Sequence, residues 1–356
     1  MTSNNKNASH IVAVWLLTLV LSLACLGGPM PTPGSENLPQ LLANADVVLK
    51  GQVLAVLPRG ETTAEVGSVL IPVRLMSATV GVDRYYKGGG ATPQITVTFF
   101  VARDPRHSDL PFQQLATGEY ALFFLKEGSG RYTFSDPWFG KLEVSRRLAE
   151  DTADTHDPAT LLEADLRAGL AEASRDLLLD NIRLLGNLRR LRSSRELHPF
   201  ASSDDLEVRG AANLALMRVG DYSMIEEAVE FLLLQDPNPR IRALQGKLAN
   251  EFESVKDPAT LDVIHRYMRS DNQMVRIAMV KAAERIHSPK AVPWLVERLD
   301  DPVEDVRYHA VLALCEMEGK GPGGWGAAID VYDQNESQYI SKWKQWWETE
   351  GKFKYR

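Results

Sequence analysis

The sequence predicts a multidomain protein in which an all-β domain is followed by an all-α solenoid. From Asp46 to about Val144, apolar and polar residues alternate with period two between turns rich in Gly and Pro. From Ala159 onward the strand pattern stops, and one helical segment recurs four times. The chain of 356 residues, 44% hydrophobic and 24% charged, is long enough for two packed domains. Its net charge of -7 argues against nucleic-acid binding, which needs clustered positive charge.

The first 24 residues have the order of a signal peptide. A polar start with Lys6 precedes an apolar run from Ile11 to Ala24, which is short for a membrane-spanning helix. Ser22 and Ala24 place small residues before a cut after Ala24. We therefore expect residues 1–24 to be removed on export to the periplasm, the cell envelope or the medium; an uncleaved anchor is the alternative.

Cys25 would be the first mature residue. The segment "LSLAC" resembles the box of bacterial lipoproteins, although Ser22 stands where an aliphatic residue is usual. Two interpretations stay open, simple secretion and a lipid anchor on Cys25, and only the second brings the protein to a membrane. Residues 25–40, rich in Gly and Pro, are predicted to be a flexible tether.

Residues 41–145 are predicted to form an antiparallel sandwich or barrel. "DVVLKGQVLAVL" opens the pattern, and a long β-branched stretch follows and stops at Gly88-Gly89-Gly90. In "QITVTFFVAR" the apolar residues Ile95, Val97, Phe99 and Val101 share one face. "EYALFFLKE" and "RYTFSDPWFGKLEV" complete the set of short strands.

These segments, in this order, resemble the netrin-like, OB-barrel module of tissue inhibitors of metalloproteinases and of many exported bacterial proteins. The resemblance covers about Leu41 to Val144 and implies an OB-like barrel. Those inhibitors act through a mature N-terminal Cys held by disulfides; this chain has Cys25 but lacks the other cysteines. Barrels of this type also bind oligonucleotides or sugars, whereas a barrel whose aromatic residues only fill its core is the simpler interpretation.

Residues 146–160 are polar and acidic and are predicted to be a linker, so that residues 161–356 form the solenoid. Four segments share a branched apolar residue followed by Arg, and the four arginines are 33, 34 and 31 residues apart. Six residues before each Arg stands Ser or Asp, a type that starts helices. The arginines are Arg209, Arg242, Arg276 and Arg307, and the residues six before them are Ser203, Asp236, Ser270 and Asp301.

The four segments resemble HEAT repeats, in particular the short HEAT-like class first noted in phycobilin lyase subunits. The resemblance covers about Asn181 to Glu318 and implies that Asp236, Asp301 and the four arginines form a polar ladder between neighbouring units. Repetition every thirty-odd residues is what packing demands, so we interpret Asp301 with Arg307 as structural and not as a reactive pair. Trp343, Trp346 and Trp347 share a helical face that we expect to cap the last repeat.

The sequence predicts no catalytic, cofactor or metal site. No two of the seven histidines have metal-ligand spacing with a carboxylate, and nucleophile and phosphate-loop motifs are missing from the sequence. Cys315 is predicted to be a small buried hydrophobe. A basic cluster from Arg183 to Arg195 could contact an anionic partner or lipid headgroups, but acidic neighbours favour a solvated helix face.

The predicted function is that of a non-catalytic exported scaffold that binds another protein through the solenoid. Solenoids present extended concave surfaces built from repeated helices. Tyr308 and His309, just after the last repeat Arg, are the predicted partner contacts. Two alternatives stay open: a protease inhibitor acting through the barrel, and an enzyme or enzyme partner related to phycobilin lyases.

Overall fold

An N-terminal closed sheet is followed by a helical region, which confirms the predicted fold class. The computed structural model describes residues 37–66, 69–90, 92–104, 106, 112–128, 130–150, 156–320, 325 and 328–355, with the side chain of residue 330 excepted. The predicted signal peptide, residues 1–24, and the candidate lipidation site Cys25 lie outside the described residues.

Within the residues that the structure describes, six strands form the sheet of the first domain. They are β1 (Val47–Val66), β2 (Val69–Lys87), β3 (Gln94–Ala102), β4 (Tyr120–Gly128), β5 (Arg131–Phe134) and β6 (Lys141–Glu143). The ring closes in the order β1-β2-β3-β5-β4-β1, and β6 pairs with β4 outside it. Among the strand pairs in the described part of the barrel, only that of β3 with β5 is parallel, at Val97 and Tyr132. This closure removes the free edges along the barrel body.

Alternation along each strand separates two apolar surfaces. Ile95, Val97 and Phe99 point into the barrel and are buried, as their spacing in the sequence predicts. On β1, Leu49 joins this interior core, whereas Val48 faces outward. The outward face is covered by helices, so the barrel is apolar inside and also on the side that meets the array.

Residues 38–44 form helix α1 (Leu38–Asn44), although the sequence predicts a tether up to residue 40. Asn37 caps the helix by accepting a hydrogen bond from the Gln40 N–H at 3.1 Å. Leu38, Leu41 and Leu42 share one face and are buried between the barrel and the array. Burial of these three leucines holds helix α1 between the barrel and the array.

The helices of the array lie in two layers. The first layer holds α2 (Pro158–Ala168), α4 (Ser194–Ala201), α6 (Ile225–Leu233), α8 (Leu261–Tyr267) and α10 (Val292–Arg298). The second layer holds α3 (Arg175–Asn187), α5 (Leu206–Val219), α7 (Pro239–Glu251), α9 (Gln273–Ile286) and α11 (Glu304–Met317). In the second layer α3 packs on α5, α5 on α7 and α9 on α11. Helix α7 touches α9 much less, and the 3-10 turn Phe252–Ser254 makes most of that junction.

The last helices close the array. Helix α12 (Ile329–Trp346) packs on α11, and a π-helical turn, Trp347–Gly351, and the short α13 (Lys352–Lys354) follow. Trp343 is fully buried and Trp346 is 3% exposed, and both belong to the core that runs through the last repeats. The two tryptophans therefore cover apolar surface that the last repeat would otherwise expose.

A buried polar cluster joins the barrel to the array. Asp165 of α2 is fully buried, and its carboxylate accepts hydrogen bonds from Arg84 Nη1 at 2.6 Å, Tyr86 Oη at 2.5 Å and the Ala149 N–H at 2.8 Å. Lys50 of β1 is also fully buried, and its Nζ donates to the Arg147 carbonyl at 2.8 Å. Within the predicted linker, residues 146–150 are thus tied to both domains, and α2 begins at residue 158.

Burial lowers the pKa of Lys50 to about 8, with Arg84 lowering it further and Asp165 opposing both. Burial raises the pKa of Tyr86 well above its ordinary value, the charge and hydrogen bond of Asp165 raise it further, and Arg84 opposes both. These hydrogen bonds and the buried apolar cluster that the barrel shares with α2, α3, α4 and α5 hold the two domains against each other.

Candidate partner-binding surface

Each repeat arginine is the fourth residue of its helix, in α5, α7, α9 and α11. Because the four helices lie in the same layer, the arginines occupy equivalent places in successive units. The structure nevertheless gives them different partners, so the predicted ladder is uneven.

Arg276 makes the strongest rung. Its Nε and Nη2 donate to the two carboxylate oxygens of Asp301 at 2.8 and 3.0 Å, and Nη1 donates to the Ser270 carbonyl at 2.7 Å. The side chains are only 9% and 1% exposed. This bidentate pair joins α9 to the loop before α11, in the next unit.

Arg307 continues the ladder onto the cap. Its Nε donates to Glu336 of α12 at 2.7 Å, and its Nη1 donates to the Asp301 carbonyl at 2.8 Å. The hydrogen bond from Arg307 lowers the pKa of Glu336 below its ordinary value. Asp301 and Arg307 of the same segment therefore meet only through a backbone carbonyl.

Arg209 and Arg242 depart from the predicted ladder. Arg209 Nη2 lies 3.6 Å from Glu230 of α6, so it reaches the next unit through that residue and not through Asp236. Asp236 instead accepts a hydrogen bond from the Asn238 N–H at 2.7 Å. Arg242 is exposed and donates to the Pro237 carbonyl at 2.9 Å. Among the residues that the structure describes, Arg242 contacts no carboxylate.

The residues six before each Arg are not helix caps, contrary to the sequence prediction. Each instead accepts a hydrogen bond from the backbone N–H two residues further on: Asp205 to Ser203, Asn238 to Asp236, Asn272 to Ser270 and Val303 to Asp301. The caps with side-chain bonds are Asp205, Asn238 and Asn272. Short polar side chains form such turns readily, so the helices begin later than predicted.

The array has a cleft near the start of α9. It lies between the loop after α6 and the loop between α8 and α9, and its volume is about 550 Å³. Its lining includes Leu233, Gln235, Arg266, Arg269, Ser270 and Asp271. Ser270 occupies the position that corresponds to Asp301 one unit earlier in the array, and its uncharged side chain offers no ion pair to Arg242.

The second layer carries four apolar residues near the beginnings of its helices, at the sixth position of α5 and α7 and at the fifth position of α9 and α11. They are Ala211, Leu244, Ile277 and Tyr308, all half-buried, and this set is called the apolar row below. Near the beginnings of the helices, Arg240 lies 3.7 Å from Glu207. Towards their ends, Lys281 pairs with Glu253 at 2.6 Å. The surface therefore has a partly apolar centre with charged pairs on both sides.

Tyr308 and His309, the predicted partner contacts, are less open than the sequence suggests. Both are half-buried, and the Tyr308 ring packs on Tyr332 of the cap helix with centroids 5.0 Å apart. Burial lowers the pKa of His309 to about 4, with a smaller contribution from Lys281, so its imidazole is neutral at pH 7. Partner binding at these two residues stays a prediction, in which Tyr308 would contribute only the exposed part of its ring.

Two carboxyl groups, Glu284 of α9 and Glu316 of α11, lie close together on neighbouring second-layer helices. Burial, and then the nearby carboxyl of Glu316, raise the pKa of Glu284 to about 7. Cys315 lies next to Glu316 on α11 and is half-buried, so it is less buried than the sequence predicts. Burial raises the pKa of its thiol to about 11. A thiol with that pKa is a poor nucleophile at neutral pH.

The basic cluster near the start of the array is largely neutralised by carboxylates. Arg183 pairs with Asp180 at 2.9 Å, Arg189 with Glu251 at 3.3 Å and Arg190 with Asp157 at 3.0 Å. These pairs agree with a solvated helix face. Within the described ranges, no group of three His, Cys, Asp or Glu side chains is placed to hold a metal ion. Across those same ranges, no helix has the length and apolar character needed to cross a membrane.

Comparison with known proteins identifies the repeats. Residues 232–315 match the HEAT repeat family, a range that includes the Arg242, Arg276 and Arg307 segments. HEAT repeats usually mediate protein–protein interaction and are in general non-catalytic. The match does not extend to the barrel, and the finer resemblances to phycobilin lyase subunits and to tissue inhibitors of metalloproteinases stay predictions. No curated protein matches the chain.

One similar solved structure is the crystal structure of an engineered protein. It is 18% identical over 46% of this chain and 81% of its own, with a TM-score of 0.32. At this TM-score the likeness bears on neither the fold nor the function of the chain.

Proposed function

We propose that the chain is a non-catalytic scaffold that binds another protein through the second helix layer of its array. The apolar row is the observation that carries the proposal. Each of the helices α5, α7, α9 and α11 contributes one half-exposed residue to it, at the fifth or sixth position, and charged pairs lie on both sides of the row. Protein interfaces have this composition, with an apolar centre inside a polar rim.

The barrel contributes to this function by holding the start of the array. Its outer face shares one buried apolar cluster with α2, α3, α4 and α5, and the Lys50–Asp165 cluster lies at the same junction. A partner on the second layer would therefore meet a surface whose first units are packed against the barrel.

The test is capture of partners from an envelope extract by the full chain and by a variant, Leu244→Glu with Ile277→Glu. Charges placed in the apolar row should abolish capture of the specific partner, because buried unpaired carboxylates are strongly unfavourable in an interface. Leu191→Glu is the matched control, since Leu191 is 59% exposed and lies outside the row. Equal capture by wild type and by the row variant, with both folded, would remove the proposal.

We infer in addition that the protein acts outside the cytoplasm. The support is the order of charge, apolar run and small residues in residues 1–24. Intact mass of the native protein tests this: a chain beginning at Cys25 is expected, and a diacylglycerol mass on Cys25 would identify a lipoprotein. Recovery of the full-length chain from the cytoplasm would contradict export.

A further inference from the structure

Three tryptophan rings surround one lysine ammonium at the cap of the array. Lys320 Nζ lies 3.9 Å from the centroid of the Trp325 ring. It lies 5.0 Å from that of Trp346 and 5.7 Å from that of Trp343, and an indole face attracts a cation at these distances. The three rings are called the tryptophan box below. Trp343 is inclined by 59° to Trp325 and by 85° to Trp346, so the rings form walls around the ammonium and not a stack.

The box is held in shape by contacts that do not involve Lys320. Trp343 Nε1 donates a hydrogen bond to the Trp325 carbonyl at 2.7 Å. Trp343 is fully buried and Trp346 is 3% exposed. A methyl group at Gly351 would lie 2.9 Å from the Trp346 ring, so a glycine there leaves room for this wall of the box. The packing of the cap therefore fixes the rings.

Within the residues that the structure describes, the box offers its occupant no hydrogen-bond acceptor. The Lys320 ammonium has three N–H donors, and its contacts there are with the three rings. A quaternary ammonium has no N–H group, and aromatic cages recognise it through cation–π attraction. A quaternary ammonium would therefore lose no hydrogen bond on entering the tryptophan box.

Lys320 can turn out of the box without moving a helix. Gly319, with φ of +60°, follows the end of α11, and the Lys320 N–H donates to the Cys315 carbonyl at 3.0 Å. These contacts fix the backbone, whereas the side chain is a flexible four-carbon stem. Lys320 is half-buried, so solvent already reaches it. A ligand can thus replace its ammonium by a side-chain rotation.

A second ammonium lies at the same ring. Lys342 Nζ is 4.4 Å from the Trp325 centroid, close enough to Lys320 Nζ for the two charges to repel each other. A ligand with an anion beside its quaternary ammonium would meet both lysines once Lys320 has turned outward. We propose that the tryptophan box binds a phosphocholine group, with its trimethylammonium between the rings and its phosphate at Lys320 and Lys342. The box shares no residue with the apolar row, so this site does not depend on the scaffold function.

A comparison of two ligands tests the site without any variant. Phosphocholine and phosphoethanolamine share the phosphate and the two-carbon chain, and they differ in the three methyl groups on nitrogen. Titration of the full chain, followed by calorimetry and by the indole NMR signals, should show phosphocholine binding about tenfold more tightly, because the primary ammonium gives up hydrogen bonds to water. Equal affinity for the two ligands, or no binding of phosphocholine, would overturn the proposal.

Two variants separate the walls of the box from its present occupant. Trp325→Leu should weaken phosphocholine binding by about tenfold or more. Trp138→Leu is the matched control, since Trp138 is 37% exposed and lies between β5 and β6, and it should leave the affinity within about twofold. Lys320→Ala empties the box and should tighten the binding of tetramethylammonium, which has no phosphate, by about threefold or more. Undiminished phosphocholine binding in Trp325→Leu, or unchanged tetramethylammonium affinity in Lys320→Ala, would contradict the assignment.

Vesicles distinguish two sources of the phosphocholine group. Co-sedimentation with phosphatidylcholine vesicles that Trp325→Leu abolishes, and that phosphatidylethanolamine vesicles do not show, would identify a lipid headgroup. Binding of free phosphocholine without co-sedimentation would identify a soluble ligand. Both results support the tryptophan box as the site, whereas failure of phosphocholine to bind in either form would remove it. The scaffold function is tested separately, by capture with the apolar-row variant.

Discussion

Replacing Arg276 with Met removes a buried guanidinium and keeps most of the apolar stem. The change leaves the Asp301 carboxylate, 1% exposed, with the Val303 N–H at 3.0 Å and Arg298 Nη1 at 3.7 Å. Breaking a buried ion pair typically costs about 3–5 kcal/mol, because one charge stays buried and uncompensated. Since Arg298 offers partial compensation, we expect a loss of about 3 kcal/mol in the free energy of unfolding.

Arg242→Met is the matched control, because it is the same substitution at the same helix position. Arg242 is exposed and contacts no carboxylate in the described part of the chain, so its loss should change stability by no more than about 0.5 kcal/mol. Both variants are compared with wild type by urea unfolding, followed by tryptophan fluorescence. Equal losses in the two variants, or a loss below about 1 kcal/mol for Arg276→Met, would refute the assignment of a buried structural rung.

Three further predictions concern burial. The pKa of Lys50 is about 8 in the folded protein and 10.5 in the unfolded chain, so between these pH values the unfolded chain binds more protons than the folded protein. The free energy of unfolding should therefore rise by about 3 kcal/mol from pH 8 to 10.5. Denaturant melts at several pH values should show this rise for the wild type and not for Lys50→Met. The pKa of Glu284 is about 7 in the folded protein and 4.5 in the unfolded chain, so the free energy of unfolding should fall as pH rises from 4.5 to 7. Solvent screening reduces the expected fall to about 1 kcal/mol. Identical pH profiles of stability for the wild type and Glu284→Gln would contradict this prediction. Gly210→Ala places a methyl group against the Phe231 ring between α5 and α6 and should cost about 1–3 kcal/mol in a thermal melt, whereas Gly246→Ala, with open space around it, should not destabilise the chain.

The layered array could be predicted from the sequence because its signal repeats. The Arg at a fixed place before an apolar run recurs four times, and each copy proved to be the fourth residue of a second-layer helix. The partner of each Arg could not be predicted in the same way. By their position in the repeat, Asp236 and Ser270 are equivalent to Asp301. Only the structure shows which of these side chains hydrogen-bonds to the arginine of the preceding unit.

The domain junction escaped the sequence analysis because its partners are far apart in the chain. Lys50 bonds a carbonyl 97 residues away, and no short motif encodes that contact. A weaker signal was present: Lys50 shares the outward face of β1 with Val48, and Asp165 lies on the apolar face of α2 with Leu162 and Leu166. A charge inside an apolar face is expected to have a buried partner.

Helix α1 was missed for a different reason. Pro39 and the polar residues before it are typical of a tether, and seven residues are too few to show helical periodicity clearly. What fixes the helix is burial of Leu38, Leu41 and Leu42 against surfaces that fold from distant parts of the chain. Local propensity alone does not determine such a segment.

Hydrogen–deuterium exchange of the full chain, alone and with its captured partner, tests the central claim most directly. If the second helix layer is the docking surface, the partner should slow exchange in α7 and α9 and leave the barrel strands unchanged. The expected protection is greatest at residues 239–251, where α7 is most open. Protection confined to the barrel, residues 47–143, would show that the barrel recognises the partner and that the array only carries it.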